Sequence, residues 1–210
     1  MCLMAVKQNG LALKYVKNKT KQLYFEAIKQ NGLALEFIDD QTEELCYMAI
    51  NKDTFALEYV KNQLEYLCLM AIEKNPDTLE HVRNQTEDLC LEAVRQNGLA
   101  LKHVLYQTNL ICLEAVKQNA KALKFVDNQT EEICLEAVKQ NGNSLQYVEE
   151  QYRNNEIYYY AVTQDGNALK YVNNQTEKIC LQAIRQNIFA LAYVKNKTNK
   201  IIALARVLTK

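Results

Sequence analysis

Residues 131–142 read EEICLEAVKQNG. Twenty-two residues earlier, 109–120 read NLICLEAVKQNA, and 44 earlier, 87–98 read EDLCLEAVRQNG. A phrase that recurs at a fixed spacing either repeats a chemistry or lays one brick beside another. Aligned on this phrase, units begin at Cys2, Tyr24, Cys46, Cys68, Cys90, Cys112, Cys134, Tyr158 and Cys180. The spacing is 22 throughout, except for 24 between Cys134 and Tyr158, and IIALARVLTK closes the chain as a half-unit. A period of this length marks a repeat architecture, in which one unit cannot bury its own apolar face but a row of them can.

The pattern predicts two short helices per unit. The first runs from the T-E-E-I end of one unit through C-L-E-A-V-K-Q of the next. Thr42, Thr86, Thr130 and Thr176 precede acidic residues, so their hydroxyls can cap the free amides while carboxylates meet the positive helix end. The I, C, L, A and V positions cover a wide arc, as expected of a helix packed on both sides. The second helix covers A-L-K-Y-V, whose apolar residues at i, i+1, i+3 and i+4 exclude the strand of a leucine-rich repeat. Its start is marked by an Asn or Asp in every unit, from Asn9 to Asn187. All five glycines and the single proline, Pro76, fall on the next position. Proline cannot take a positive φ but suits a first helical turn, so this slot should open the second helix rather than cap the first.

Two slots do not vary: alanine, from Ala5 to Ala183, and leucine, from Leu13 to Leu191. Alanine lets helices approach and leucine fills the facing groove. The expected fold is an all-α solenoid of nine 22-residue two-helix repeats plus a C-terminal half-repeat, one domain over residues 1–210, with its hand left open.

Units such as CLEAVKQNGNSLQYV (134–148) and YFEAIKQNGLALEFI (24–38) resemble the repeat called domain of unknown function 4116. That repeat has a helix ending A-V-x-Q-N-G/P followed by x-A-L-x-Y/F-A/V. The resemblance runs along essentially the whole chain. It departs at the insertion between Tyr152 and Ile157, at Leu64 in a capping slot, and at Tyr106 in an Asn slot. The family occurs in giant DNA viruses, some intracellular bacteria and protists. It therefore implies a helical fold in the cytoplasm of a host cell, or in a virion if the chain is viral. It has no established activity, so it assigns no catalytic residue.

Composition excludes several classes. Lys+Arg and Asp+Glu are both 25, so no net electrostatic footprint for nucleic acid or anionic lipid exists. No run of 18 apolar residues is present, so no membrane span is expected. Seven cysteines share one slot without a C-x-x-C spacing and read as small buried hydrophobes rather than metal ligands. Equivalent atoms about 10 Å apart would also lie beyond disulfide reach. His81 and His103 occupy a slot otherwise held by Tyr or Phe and read as aromatic packing. The N-x-T triplets at Asn18, Asn84, Asn128, Asn174 and Asn196 follow from helix capping, not glycosylation. Gln8, Gln30, Gln96, Gln118, Gln140 and Gln186 could imitate a base-reading ladder. Glu36, Glu58 and Glu80 mixed with Lys14, Lys102 and Lys124 argue against it. No cofactor, metal or catalytic residue is expected.

The informative positions break the pattern. The third slot, usually Glu or Gln, becomes Met4, Met48, Met70 and Tyr160, and Tyr152 and Tyr159 cluster with Tyr160 near the insertion. Solvent-facing Met and Tyr suit a protein-binding surface. The expected role is a non-enzymatic scaffold that binds another protein, a host protein if the chain is viral. The alternative is a structural protein that assembles end to end. Its first unit, starting at Met1-Cys2, lacks the T-E-E-I lead-in and could self-associate, or the chain is a fragment. The last half-unit bears Lys200, Arg206 and Lys210.

Overall fold

A computed structural model of the chain describes residues 2–209; Met1 and Lys210 lie outside them. All regular structure among the described residues is helical, built from repeated helix pairs. The α-helices are α1 (Cys2–Gln8), α2 (Lys21–Gln30), α3 (Glu43–Lys52), α4 (Glu65–Lys74), α5 (Glu87–Gln96), α6 (Asn109–Gln118), α7 (Glu131–Gln140), α8 (Asn155–Gln164), α9 (Glu177–Gln186) and α10 (Asn199–Leu208). Between them lie six-residue 3₁₀ helices such as Gly32–Phe37, Thr54–Tyr59 and Ala120–Phe125. The second helix of each pair is therefore tighter than an α-helix. Six residues end in an extended Val or Ile and close i→i+3 bonds instead, as Ile38 N–H donates to the Leu35 carbonyl at 3.1 Å.

The caps follow the sequence. Leu45 N–H donates to Thr42 Oγ1 at 3.3 Å, and Glu43 and Glu44 occupy the first turn of α3 while Lys52 occupies its last. Asp53 serves both helices of its pair. Its N–H donates to the Ala49 carbonyl at 2.8 Å, and its carboxylate accepts from Phe55 N–H at 3.0 Å. Leu64 offers α4 no side-chain cap. No described glycine has a positive φ. The glycine slot instead answers a close approach: a Cβ on Gly98 would collide with the Ala115 carbonyl oxygen.

The chain forms two compact units. One holds residues through Gln96 with His103–Leu105; the other holds Asn97–Lys102 and the residues from Tyr106 onward. In each, successive α-helices pack side by side, and the 3₁₀ helices form a second row against them. The alanines from Ala27 to Ala183 and the leucines from Leu13 to Leu169 have no exposed surface. At the edges Ala5 is exposed and Leu191 half-buried.

Glutamines tie several pairs to the next. Gln63 Nε2 donates to the Leu57 carbonyl at 2.9 Å and the His81 carbonyl at 2.8 Å, while its Oε1 accepts from Arg83 N–H at 2.9 Å. Gln41, Gln85, Gln107, Gln129 and Gln175 reach the same forward positions. A second set reaches backward. Gln118 Oε1 accepts from Gly98 N–H at 2.7 Å, and Gln30, Gln140 and Gln186 act likewise. Pro76 has no N–H to give, and Gln96 bonds Glu92 Oε1 at 2.7 Å. Loop amides outside the helices' own hydrogen bonding are thus satisfied between repeats.

Candidate binding surface

The third slot is less open than its pattern implied. Met4 is 70 % exposed, but Met48 and Met70 are half-buried. A slot opposite the apolar arc of one helix still borders its neighbours when helices pack on both sides. Tyr160 is 36 % exposed, while Tyr152 and Tyr159 are half-buried. Tyr159 and Tyr160 meet edge to face at 6.4 Å, with Lys178 and Lys139 over their rings. Met4, Met48 and Met70 belong to the first unit, and the tyrosines to the second.

A surface that the sequence reading missed lies on α3 and α4. Tyr66, Leu69 and Met70 are spaced i, i+3, i+4 along one face of α4, and Tyr66 and Leu69 are exposed. On α3, Glu43 and Tyr47 are also four apart, and Tyr47 is 48 % exposed. The two helices meet where Tyr66 Oη donates to Glu43 Oε1 at 2.5 Å. That bond pushes the Tyr66 phenol up to about 12. The signal was present in EYLCLMAIEK, a helix apolar on nearly every face, where other repeats place acidic residues.

Cys46, Cys68, Cys90, Cys112, Cys134 and Cys180 are buried, and Cys2 is exposed. Burial pushes the Cys90 and Cys112 thiols up to about 11, and the Cys134 thiol, next to the Glu149 and Glu131 carboxylates, up to about 12. These thiols are held protonated, the opposite of an activated nucleophile. Among the described residues no group of three His, Cys, Asp or Glu could hold a metal ion. His81 packs edge to face on Phe55 at 5.6 Å, as an aromatic would. His103 differs: Nε2 lies 3.5 Å from Asp77 Oδ1 and Nδ1 lies 3.7 Å from Glu80 Oε2.

The model of the family described as domain of unknown function, DUF4116, matches residues 1–42, 20–65 and 130–176, more than half of the chain. The chain belongs to the DUF4116 family. No curated protein and no solved structure matches it. The DUF4116 match explains the recurrent phrase as one repeat read many times, and it attaches no activity to the exposed residues above. No described helix of this DUF4116 chain is long and apolar enough to cross a membrane.

Proposed function

We propose that this DUF4116 chain is a non-enzymatic scaffold that binds another protein, with nine helix pairs and a closing half-repeat stacked as a solenoid. The observation that carries the reading is the outer face of α3 and α4. There Tyr47, Tyr66 and Leu69 are exposed beside half-buried Met48 and Met70. Apolar side chains grouped on adjacent helices and edged by carboxylates match the anatomy of a protein-binding patch. Met4 on α1 and Tyr152, Tyr159 and Tyr160 beside the insertion offer further contacts of the same chemistry.

The test is capture from a cell lysate on immobilised chain, scored by mass spectrometry. A control carries Tyr47→Glu and Leu69→Glu, with its helicity verified by circular dichroism. A partner held by the native chain and lost by the folded control is expected. A partner held equally by both, or no partner, overturns the assignment of this face.

A further inference from the structure

Asparagine precedes glycine at four repeat junctions: Asn9–Gly10, Asn31–Gly32, Asn97–Gly98 and Asn141–Gly142. Residues 7–11 and 29–33 are the same pentapeptide, KQNGL, and 95–99 read RQNGL. This pair is open to one spontaneous reaction. The glycine nitrogen, which no Cβ shields, attacks the asparagine Cγ. The N–Cγ bond forms, the Cγ–Nδ2 bond breaks, and ammonia leaves with the proton of the glycine amide. Water then opens the imide. Cleavage of the N–Cγ bond gives aspartate in an ordinary chain, and cleavage at the backbone carbonyl gives isoaspartate. Nothing is oxidised or reduced, so the side-chain amide and water suffice.

Locally these junctions are alike. Asn9, Asn31 and Asn141 are extended, at φ −144°, −148° and −146° and ψ 108°, 116° and 108°. Each Oδ1 accepts from the N–H two residues on, at 3.1, 3.0 and 3.0 Å. Closing the imide swings the glycine nitrogen onto the Cβ side of the asparagine, so each junction must first open. What differs is the next repeat. Gln30 holds the peptide groups on both sides of Asn9: its Oε1 accepts from Gly10 N–H at 3.1 Å, and its Nε2 donates to the Gln8 carbonyl at 3.3 Å. Gln118 Oε1 accepts from Gly98 N–H at 2.7 Å. At Gly32 the glutamine slot holds Lys52, whose ammonium has no acceptor to offer. At Gly142 the slot holds Gln164. The three atoms nearest a Cβ on Gly98 include Gln118 Oε1 at 3.0 Å, whereas those nearest one on Gly142 are all backbone of Ala161 and Asp165. Among the described residues, no glutamine of another repeat accepts from Gly32 N–H or Gly142 N–H.

We infer that Asn31 and Asn141 are sites of spontaneous deamidation in the folded chain, with water as the co-reactant, and that the glutamine of the next repeat protects Asn9 and Asn97. A bond from the glycine N–H to a glutamine must break before that nitrogen can attack, and Asn31 and Asn141 are spared this step. The net worth of one such bond sets the expected difference at about five-fold in rate. The fold accepts the aspartate product. Asp53 and Asp165 fill the same slot with the same extended backbone, and their Oδ1 atoms accept from Phe55 N–H at 3.0 Å and Asn167 N–H at 2.9 Å. Aspartate at 31 or 141 therefore keeps the cap and adds a negative charge at the junction. Isoaspartate lengthens the backbone there and takes the cap geometry away. The site is independent of the α3–α4 face.

The full chain, held folded at mildly alkaline pH, tests this when conversion at each asparagine is followed by peptide mass spectrometry. Asn31 and Asn141 should convert about five-fold faster than Asn9 and Asn97. In urea the rates should draw together, because Asn9 and Asn31 share one pentapeptide. Lys52→Gln supplies the missing acceptor and should slow Asn31 to the rate of Asn9. Gln118→Lys, with its fold verified by circular dichroism, should raise Asn97 to the rate of Asn31. Three results would overturn the inference: equal rates in the folded chain, an Asn31 rate indifferent to Lys52→Gln, or the same order of rates in urea. The last would assign the difference to local sequence rather than to the neighbouring repeat.

Discussion

The Cys134 thiol donates to Gln129 Oε1 at 3.2 Å, five residues back along the chain and with both side chains buried. The same pair forms between Cys46 and Gln41, Cys90 and Gln85, Cys112 and Gln107, and Cys180 and Gln175. Where the glutamine slot holds Lys19 or Arg153, the cysteine slot holds Tyr24 or Tyr158. Lys19 keeps the forward bond, to the Phe37 carbonyl at 2.6 Å. Arg153 folds back on the insertion, to the Val148 carbonyl at 2.8 Å. The recurrent cysteine is thus one half of a loop-closing pair, which explains why it travels with the phrase.

Removing one rung should be costly. Gln129→Ala takes away a 2.7 Å donation to the Tyr147 carbonyl and a 2.9 Å acceptance from Glu149 N–H, both between repeats. Groups left unpaired near a buried side chain make the loss larger than the bonds alone, so we expect about 2–3 kcal/mol of destabilisation. Urea unfolding compared with an exposed control, Gln151→Ala, checks it.

Restoring a cap should help. Leu64 is at the N-cap of α4 with extended φ −67° and ψ 142°, the conformation the threonine caps adopt, and it is exposed. Leu64→Thr places a hydroxyl where Leu67 N–H can reach it. A gain of about 0.5–1 kcal/mol is expected, read as a higher melting temperature.

Overpacking the invariant alanine should be felt. Ala93 has no exposed surface and lies on α5. Ala93→Leu must displace neighbouring helices, at about 1–3 kcal/mol. An unchanged denaturation midpoint would contradict its placement.

The thiols predict both reactivity and pH dependence. In the native state at neutral pH, a thiol reagent should modify exposed Cys2 quickly and the six buried cysteines only after denaturant is added. Burial holds the folded thiols of Cys90, Cys112 and Cys134 above the ordinary thiol range. Above pH 9 the unfolded chain releases protons that the folded chain keeps. Stability is therefore full below pH 9 and falls as pH rises toward 11 to 12. Urea midpoints at pH 7 and pH 10 give the sign.

The sequence by itself determined the unit, its caps and its core. Period, caps and the Ala and Leu slots are local features; nine copies agree on the Asn or Asp cap and on the Ala and Leu slots, and threonine fills the other cap slot except at Leu64 and Asn154. It also implied that the glycine slot lacks positive φ, because Pro76 shares that slot. Only the tertiary structure decided the rest. Six residues between an Asx cap and an extended Val or Ile close as a 3₁₀ helix, and the first amides of Gly10–Tyr15, Gly98–His103, Ala120–Phe125 and Gly166–Tyr171 donate to glutamines of the next repeat, a partnership no local propensity encodes. The α3–α4 surface, where Tyr66 meets Glu43, arises the same way. Both depend on residues about one repeat apart, 20 for Gly98 and Gln118 and 23 for Glu43 and Tyr66, meeting through the stacking of repeats, and linear order alone does not say which faces such stacking leaves open.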